Sequence, residues 1–170
     1  MSLVYPIFFI VLFLISYQDF KSREVSLTLY LLSIIIAGFI GFSNNEKIFF
    51  LKLMVVNFSI IGFTSILLVL YLFIRNGLKI SFFNFVGKGD LLFFVTIALS
   101  FSPFNFIIFQ ICSFLLILFI NFILNQIKGF YISVPLAGYQ ALFLVIAIIT
   151  EPLLKSYSRF DEPFFLGLLN

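Results

Sequence analysis

Gly87-Lys88-Gly89-Asp90-Leu91-Leu92-Phe93-Phe94-Val95-Thr96-Ile97-Ala98-Leu99-Ser100-Phe101-Ser102 sets an acid on a glycine-rich turn and follows it with twelve uncharged residues. A helix of that length reaches about 18 Å at 1.5 Å per residue, against a hydrocarbon core of roughly 30 Å. The run therefore does not cross a bilayer alone. Either Gly89 and Asp90 are drawn into the membrane as its first turn, or the helix lies in a thinned, water-accessible region. Both arrangements hold Asp90 near or below the interface, where an unpaired charge is costly.

Five further runs surround this one. Residues 3–17 and 27–42 are each slightly short of the roughly 20 residues a span needs, so flanking residues extend them. Residues 48–74 are long enough to tilt. Pro103 starts a tight turn into residues 104–126, and residues 132–149 follow the Lys128-Gly129 break. The chain is 63% hydrophobic and 10% charged, with a mean hydropathy of +1.25, too little polar surface to cover a water-soluble globule of its size. The expected fold is all-α: a polytopic membrane protein of six transmembrane helices. Residues 1–150 form the membrane domain and residues 151–170 a short tail that rests on the outer interface. No Lys or Arg precedes the first run, so it reads as a retained span and not as a cleaved signal.

Composition narrows the chemistry. With 28 Phe, no Trp and no His, no imidazole is present for a metal, a general base or a serine triad. Cys112 is the single cysteine, which rules out an internal disulfide or a cysteine zinc cluster; within its apolar run it reads as buried packing. No metal and no other cofactor is expected. The net charge of +3 is spread over short loops, without the dense basic block that nucleic-acid binding needs. Catalytic groups must come from Asp, Glu, Lys, Tyr, Ser or the backbone.

Positive residues orient the spans. With the N-terminus outside, the cytoplasmic side holds Lys21, Arg23, Arg75, Lys79, Lys88 and Lys128, and the outer side Lys47, Lys52, Lys155 and Arg159. Asp19, after one crossing, and Asp90, after three, then emerge on the same cytoplasmic face. Two carboxylates a few ångströms apart in a low-dielectric site share a proton and titrate as a unit. One then serves as base toward a water and the other as acid toward the attacked amide, as in soluble aspartic proteases. Gly87 and Gly89 leave room for an extended substrate backbone, since a transmembrane helix must unwind before its amide is hydrolysed. Plainer readings stand beside this one. Asp90 could N-cap the fourth helix, and Asp19 could be an interfacial carboxylate paired with Lys21 or Arg23.

Three segments, in order, resemble the type IV prepilin peptidases and the related archaeal preflagellin peptidases, the Gly-x-Gly-Asp class of membrane aspartyl proteases. Tyr17-Gln18-Asp19-Phe20-Lys21-Ser22-Arg23-Glu24-Val25-Ser26 is similar to the first catalytic segment. Gly87-Lys88-Gly89-Asp90 is similar to the second. Ile132-Ser133-Val134-Pro135-Leu136-Ala137-Gly138-Tyr139 resembles the proline-rich start of the last helix. The resemblance implies Asp19 and Asp90 as the catalytic pair. It also implies single-span, prepilin-like substrates with a short basic leader, cut at the cytoplasmic face of the inner membrane for pili or secretion pseudopili. Val25-Ser26 stands where Ile-Pro is usual, Leu91-Leu92 where many members have a hydrophobic residue and then Lys, and Pro135 lacks a second proline. The larger bacterial enzymes carry an inserted loop with paired cysteines and N-methylate their product. Here only residues 75–86 precede the motif, which implies a peptidase-only form.

Gly87, Lys88, Gly89, Glu24 and Pro135 are the expected substrate-side residues. Lys88 either meets a substrate carboxylate or snorkels to the interface. Glu24 either attracts a basic leader or pairs with Arg23. Asn57, Asn105, Gln110, Asn121 and Asn125 read as interhelical hydrogen-bonding residues, and Ala37 with Gly41 as a small-residue contact. Two other functions stay open on the sequence alone: an inactive relative acting as a membrane scaffold, and a small transporter whose acids carry protons or cations.

Overall fold

The computed structural model describes residues 3–76, 87–128, 134–153 and 158–160. Each apolar run forms a helix: α1 (Val4–Ser22), α2 (Leu27–Asn44), α3 (Lys47–Asn76), α4 (Lys88–Ser100), α5 (Pro103–Lys128) and α6 (Leu136–Thr150), with a 3-10 turn at Glu151–Leu153. Among the described residues there is no strand. Five stretches are long and apolar enough to cross a membrane: Val4–Ser22, Leu27–Asn44, Lys47–Tyr71, Pro103–Leu124 and Leu136–Leu153. The exception is α4, whose 13 residues reach about 20 Å.

The short helix is the axis of the bundle. It packs against α2 most extensively and also against α3, α5 and α6, while α1 is held between α2 and α6. Phe93, Ile97 and Ala98 of α4 and Phe101 at its C-cap are fully buried, as are Leu12 and Ile15 of α1 and Ala141, Leu144 and Ile148 of α6. The outward faces carry Phe13, Phe39, Leu118, Phe119 and Phe122 exposed, the surface that lipid tails would cover. Cys112 belongs to that surface. It is exposed on α5, contrary to the buried position expected, because α5 turns only a narrow face to the bundle.

Polar side chains pin α4 at fixed points. Ser33 of α2 and Thr96 share a hydrogen bond of 2.8 Å. Asn57 of α3 donates to the carbonyls of Ala98 and Phe101, at 2.7 and 2.8 Å, and so satisfies groups that a helix C-terminus leaves unpaired. Gln140 of α6 donates to Gln110 and Ser113 of α5. Asn57 and Gln110 thus take the interhelical role expected of them, whereas Asn105 bonds to Ser102 in the α4–α5 turn and to the Ser158 and Arg159 carbonyls; the side chain of Asn125 lies outside the described residues. Gly41 faces the ring of Phe50 so closely that a methyl group would collide with it, which is how the Ala37/Gly41 stripe admits α3.

At the end of the bundle that holds the start of α1 and the α4–α5 turn, Arg159 is buried. It forms an ion pair with Glu151 at 2.5 Å, and its carbonyl accepts from the backbone N–H of Ser102 and from Asn105. Of the expected outer tail, Lys155, Phe164, Phe165 and Leu166 lie outside the described residues. So do Lys79, residues 77–86 ahead of the glycine motif, and Ile132-Ser133.

The last helix begins later than the run 132–149 suggests, at Leu136, with Pro135 at its N-cap. Proline has no N–H to give and disfavours helical backbone in the residue before it, so Val134 and Pro135 stay outside the helix.

Candidate active site

Asp19 lies in the last turn of α1, which runs past the apolar segment to Ser22 and closes with the N–H of Arg23 on the Asp19 carbonyl, at 3.2 Å. Arg23 takes a left-handed conformation there (φ 60°) and ends the helix. Gln18 fixes the following turn: its side-chain carbonyl accepts the N–H of Ser26 at 2.9 Å, at the N-cap of α2. Asp90 lies in the first turn of α4. The helix starts because the Gly87 carbonyl accepts the N–H groups of Asp90 and Leu91, at 3.0 and 3.3 Å. Gly87 occupies the N-cap, so Asp90 is not the cap of its helix and its carboxylate is left for other contacts.

These contacts come from α6. Asp19 is only 8% exposed, and its Oδ2 accepts the N–H of Gly138 at 2.6 Å. The neighbouring amide, Ala137, faces the Asp90 carboxylate, which is also near enough to Asp19 for the two charges to act on each other. One helix N-terminus, with free N–H groups and the positive end of its dipole, thus addresses both acids. The pairing of Asp19 with Lys21 does not occur: Lys21 instead reaches the Tyr17 hydroxyl at 3.2 Å. Arg23 acts on Asp19 through charge, yet the only ion pair among the described residues is Arg159 with Glu151.

The glycines are close-approach positions. A methyl group on Gly87 would come within 2.7 Å of Asp90 Oδ2, one on Gly89 within 2.7 Å of the Tyr30 hydroxyl, and one on Gly138 within 3.1 Å of Asp19 Oδ2. Pro135 is buried, and its carbonyl accepts the N–H of Tyr139 at 3.2 Å. Glu24 is exposed in the α1–α2 turn, whereas Asp19 is buried and Asp90 half-buried. The side chain of Lys88 lies outside the described residues. A largely apolar groove of about 590 Å³ runs between α3, α4 and α5; its α4 wall is Leu91, next in sequence to Asp90, and Phe94, and neither acid lines it.

Sequence reasoning did not single out Tyr30, Ala137 or Gln18. Tyr30 could have been noticed through the stripe Tyr30-Ser33-Ala37 at helical spacing, a small and polar face on an otherwise apolar helix. Ala137 and Gln18 act through a backbone amide and a turn, and carried no signal.

Membrane-crossing helices that bring together two interacting carboxylates, one buried and one half-buried, at one end of the bundle define a membrane-embedded helical protein with an acidic site, and the comparisons with known proteins specify its kind. The family model of the type IV leader peptidase family matches residues 6–125, a stretch that holds both Asp19 and Asp90, and the chain belongs to that family. No curated protein matches the chain, and no solved structure does. The protein is therefore a multi-pass membrane peptidase of the leader-peptidase type.

Proposed function

We propose that this chain is an aspartic endopeptidase that removes the leader from prepilin-like, single-span membrane proteins, with Asp19 and Asp90 flanking the attacking water. The observation that carries the reading is the convergence of the two carboxylates on adjacent amides of α6. Asp19 and Asp90 hold one proton between them. The ionised acid takes a proton from water as its oxygen bonds to the scissile carbonyl carbon. The protonated one gives its proton to the carbonyl oxygen or to the departing nitrogen. The amides of Ala137 and Gly138 hold the two acids in register, so little reorganisation accompanies the reaction.

The basic residues orient the bundle with the N-terminus outside the cytoplasmic membrane and the acids near the cytoplasmic face. A prepilin-like leader is basic and precedes a hydrophobic helix, which suits an acid pair whose helix α4 also walls an apolar groove. Pili or secretion pseudopili are the downstream structures, and the activity is peptidase alone, without methyl transfer. The test is reconstitution of the purified protein in liposomes with a prepilin-like substrate and mass analysis of the product. Cleavage by the wild-type chain after the basic leader, absent with Asp90→Asn, supports the proposal; an intact substrate overturns it.

A further inference from the structure

Tyr30 lies on the third side of the acid pair. It is 4% exposed, in the first turns of α2, with its ring tilted against Phe93 at 6.4 Å between centroids. Its hydroxyl rests on the bare backbone of Gly89, next to Asp90, at the point where any larger residue would collide with it. Both carboxylates are near enough to act on the phenol through charge. Yet among the described residues the hydroxyl has no hydrogen bond to either acid, or to any other group. Although the ring is buried, the hydroxyl oxygen is not among the buried unpartnered atoms, so it is open to a ligand. A neutral donor, fixed by packing against α4, thus lies beside the Gly89 backbone within reach of the charge of both acids.

Resting on the peptidase reading above, we infer that Tyr30 is a third catalytic residue, its hydroxyl donating a hydrogen bond to the scissile carbonyl oxygen as Asp19 and Asp90 bring water onto the carbon. The phenol keeps its proton throughout. As the water oxygen bonds to the carbonyl carbon, one acid accepts a water proton and the carbonyl electron pair moves onto its oxygen, where the Tyr30 O–H meets it. The carbon–nitrogen bond then breaks with the nitrogen taking its proton from the other acid. The hydrogen bond strengthens as charge grows on that oxygen, so its contribution falls on the transition state and not on substrate binding. Gly89 has a second purpose on this account: it is the bare position that lets the hydroxyl sit beside Asp90.

Tyr30→Phe retains the ring that packs on Gly89 and Phe93 and removes only the hydroxyl. Steady-state cleavage of a prepilin-like substrate in liposomes is expected to show kcat lowered roughly 10- to 100-fold with KM nearly unchanged. A purely packing role predicts wild-type kcat, and either that result or a raised KM with normal kcat overturns the inference. Replacing Tyr30 by a fluorinated tyrosine guards against a folding defect, since the shape is retained and the hydroxyl becomes more acidic. Because its O–H is a stronger hydrogen-bond donor, this variant should keep kcat at or above the wild-type value where Tyr30→Phe loses it, and a loss as large as that of Tyr30→Phe counts against the phenol. Wild-type protein that fails to cleave at all removes the peptidase reading and this inference together. Failure of the Tyr30 arm alone leaves wild-type cleavage, and its loss in Asp90→Asn, intact.

Discussion

Gly87 and Gly138 each define the place of a carboxylate by the side chain they lack. Gly87 has an extended backbone that any residue adopts (φ −56°, ψ 129°), so an alanine there costs nothing in conformation and acts only by pushing on Asp90. Gly138→Ala acts on Asp19 from the other side, where Oδ2 and Cβ lie 3.1 and 3.2 Å from the added methyl. Misplacement of a catalytic group by about 1 Å costs roughly 100-fold in rate. Gly87→Ala is expected to lower cleavage about 100-fold, and Gly138→Ala, whose contact is looser, about 10-fold; both should unfold in detergent at close to the wild-type temperature. Cleavage rates paired with thermal unfolding check this, and wild-type rates in both variants would show that the glycines are not close-approach positions. At this scale the sequence was informative about residue type and silent about partners. A carboxylate among apolar residues and a glycine beside it are visible in the chain, whereas the Gly138 amide as the partner of Asp19, 119 residues away, depends on how α6 docks.

The helix α4 is too short to span hydrocarbon, and its termini would meet lipid if its neighbours did not meet them first. Gly87 closes the N-terminal end through its carbonyl, and Asn57, fully buried on α3, closes the other by donating to Ala98 and Phe101. Asn57→Leu retains the bulk and strands two carbonyls, which should cost about 2 kcal/mol. Thermal unfolding in detergent should register that loss. A variant as stable as the wild type would mean that water or lipid head groups satisfy those carbonyls instead. Element existence was legible from apolar run length, and the shortness of α4 was read directly from the twelve residues after Asp90. The start of α6 was not, because run length alone counted residues 132–135 as helical, whereas Pro135 sets the boundary one residue before Leu136. Nor did run length reveal which helix would lie innermost: α4 is no more apolar than its neighbours and is buried because the others wrap it.

Across the whole molecule the two ends of the bundle differ in their chemistry. The acids gather with the N-terminus of α6 at one end, while the other is closed by Arg159, 1% exposed, paired with Glu151 and tied to the α4–α5 turn through Ser102 and Asn105. Removing one member of a buried pair leaves its partner uncompensated, whereas replacing both with apolar residues is often neutral. Arg159→Met should therefore destabilise the bundle by about 3 kcal/mol, and adding Glu151→Leu should restore most of that loss. A double variant no better than the single would show that Arg159 acts through its backbone contacts alone. The parity of the spans, which puts Asp19 and Asp90 at one end, was readable from the chain. The closure by Arg159 was not, since a lone arginine after the last apolar run looks like any interfacial cation. The account rests on Asp19 and Asp90 acting as one unit, and a double-mutant cycle on leader cleavage tests this most directly. Asp19→Asn and Asp90→Asn should each abolish cleavage, with the double variant no slower than either single one, because residues that act as a unit are non-additive. Substantial cleavage in either single variant, or losses that add across the two, would contradict it.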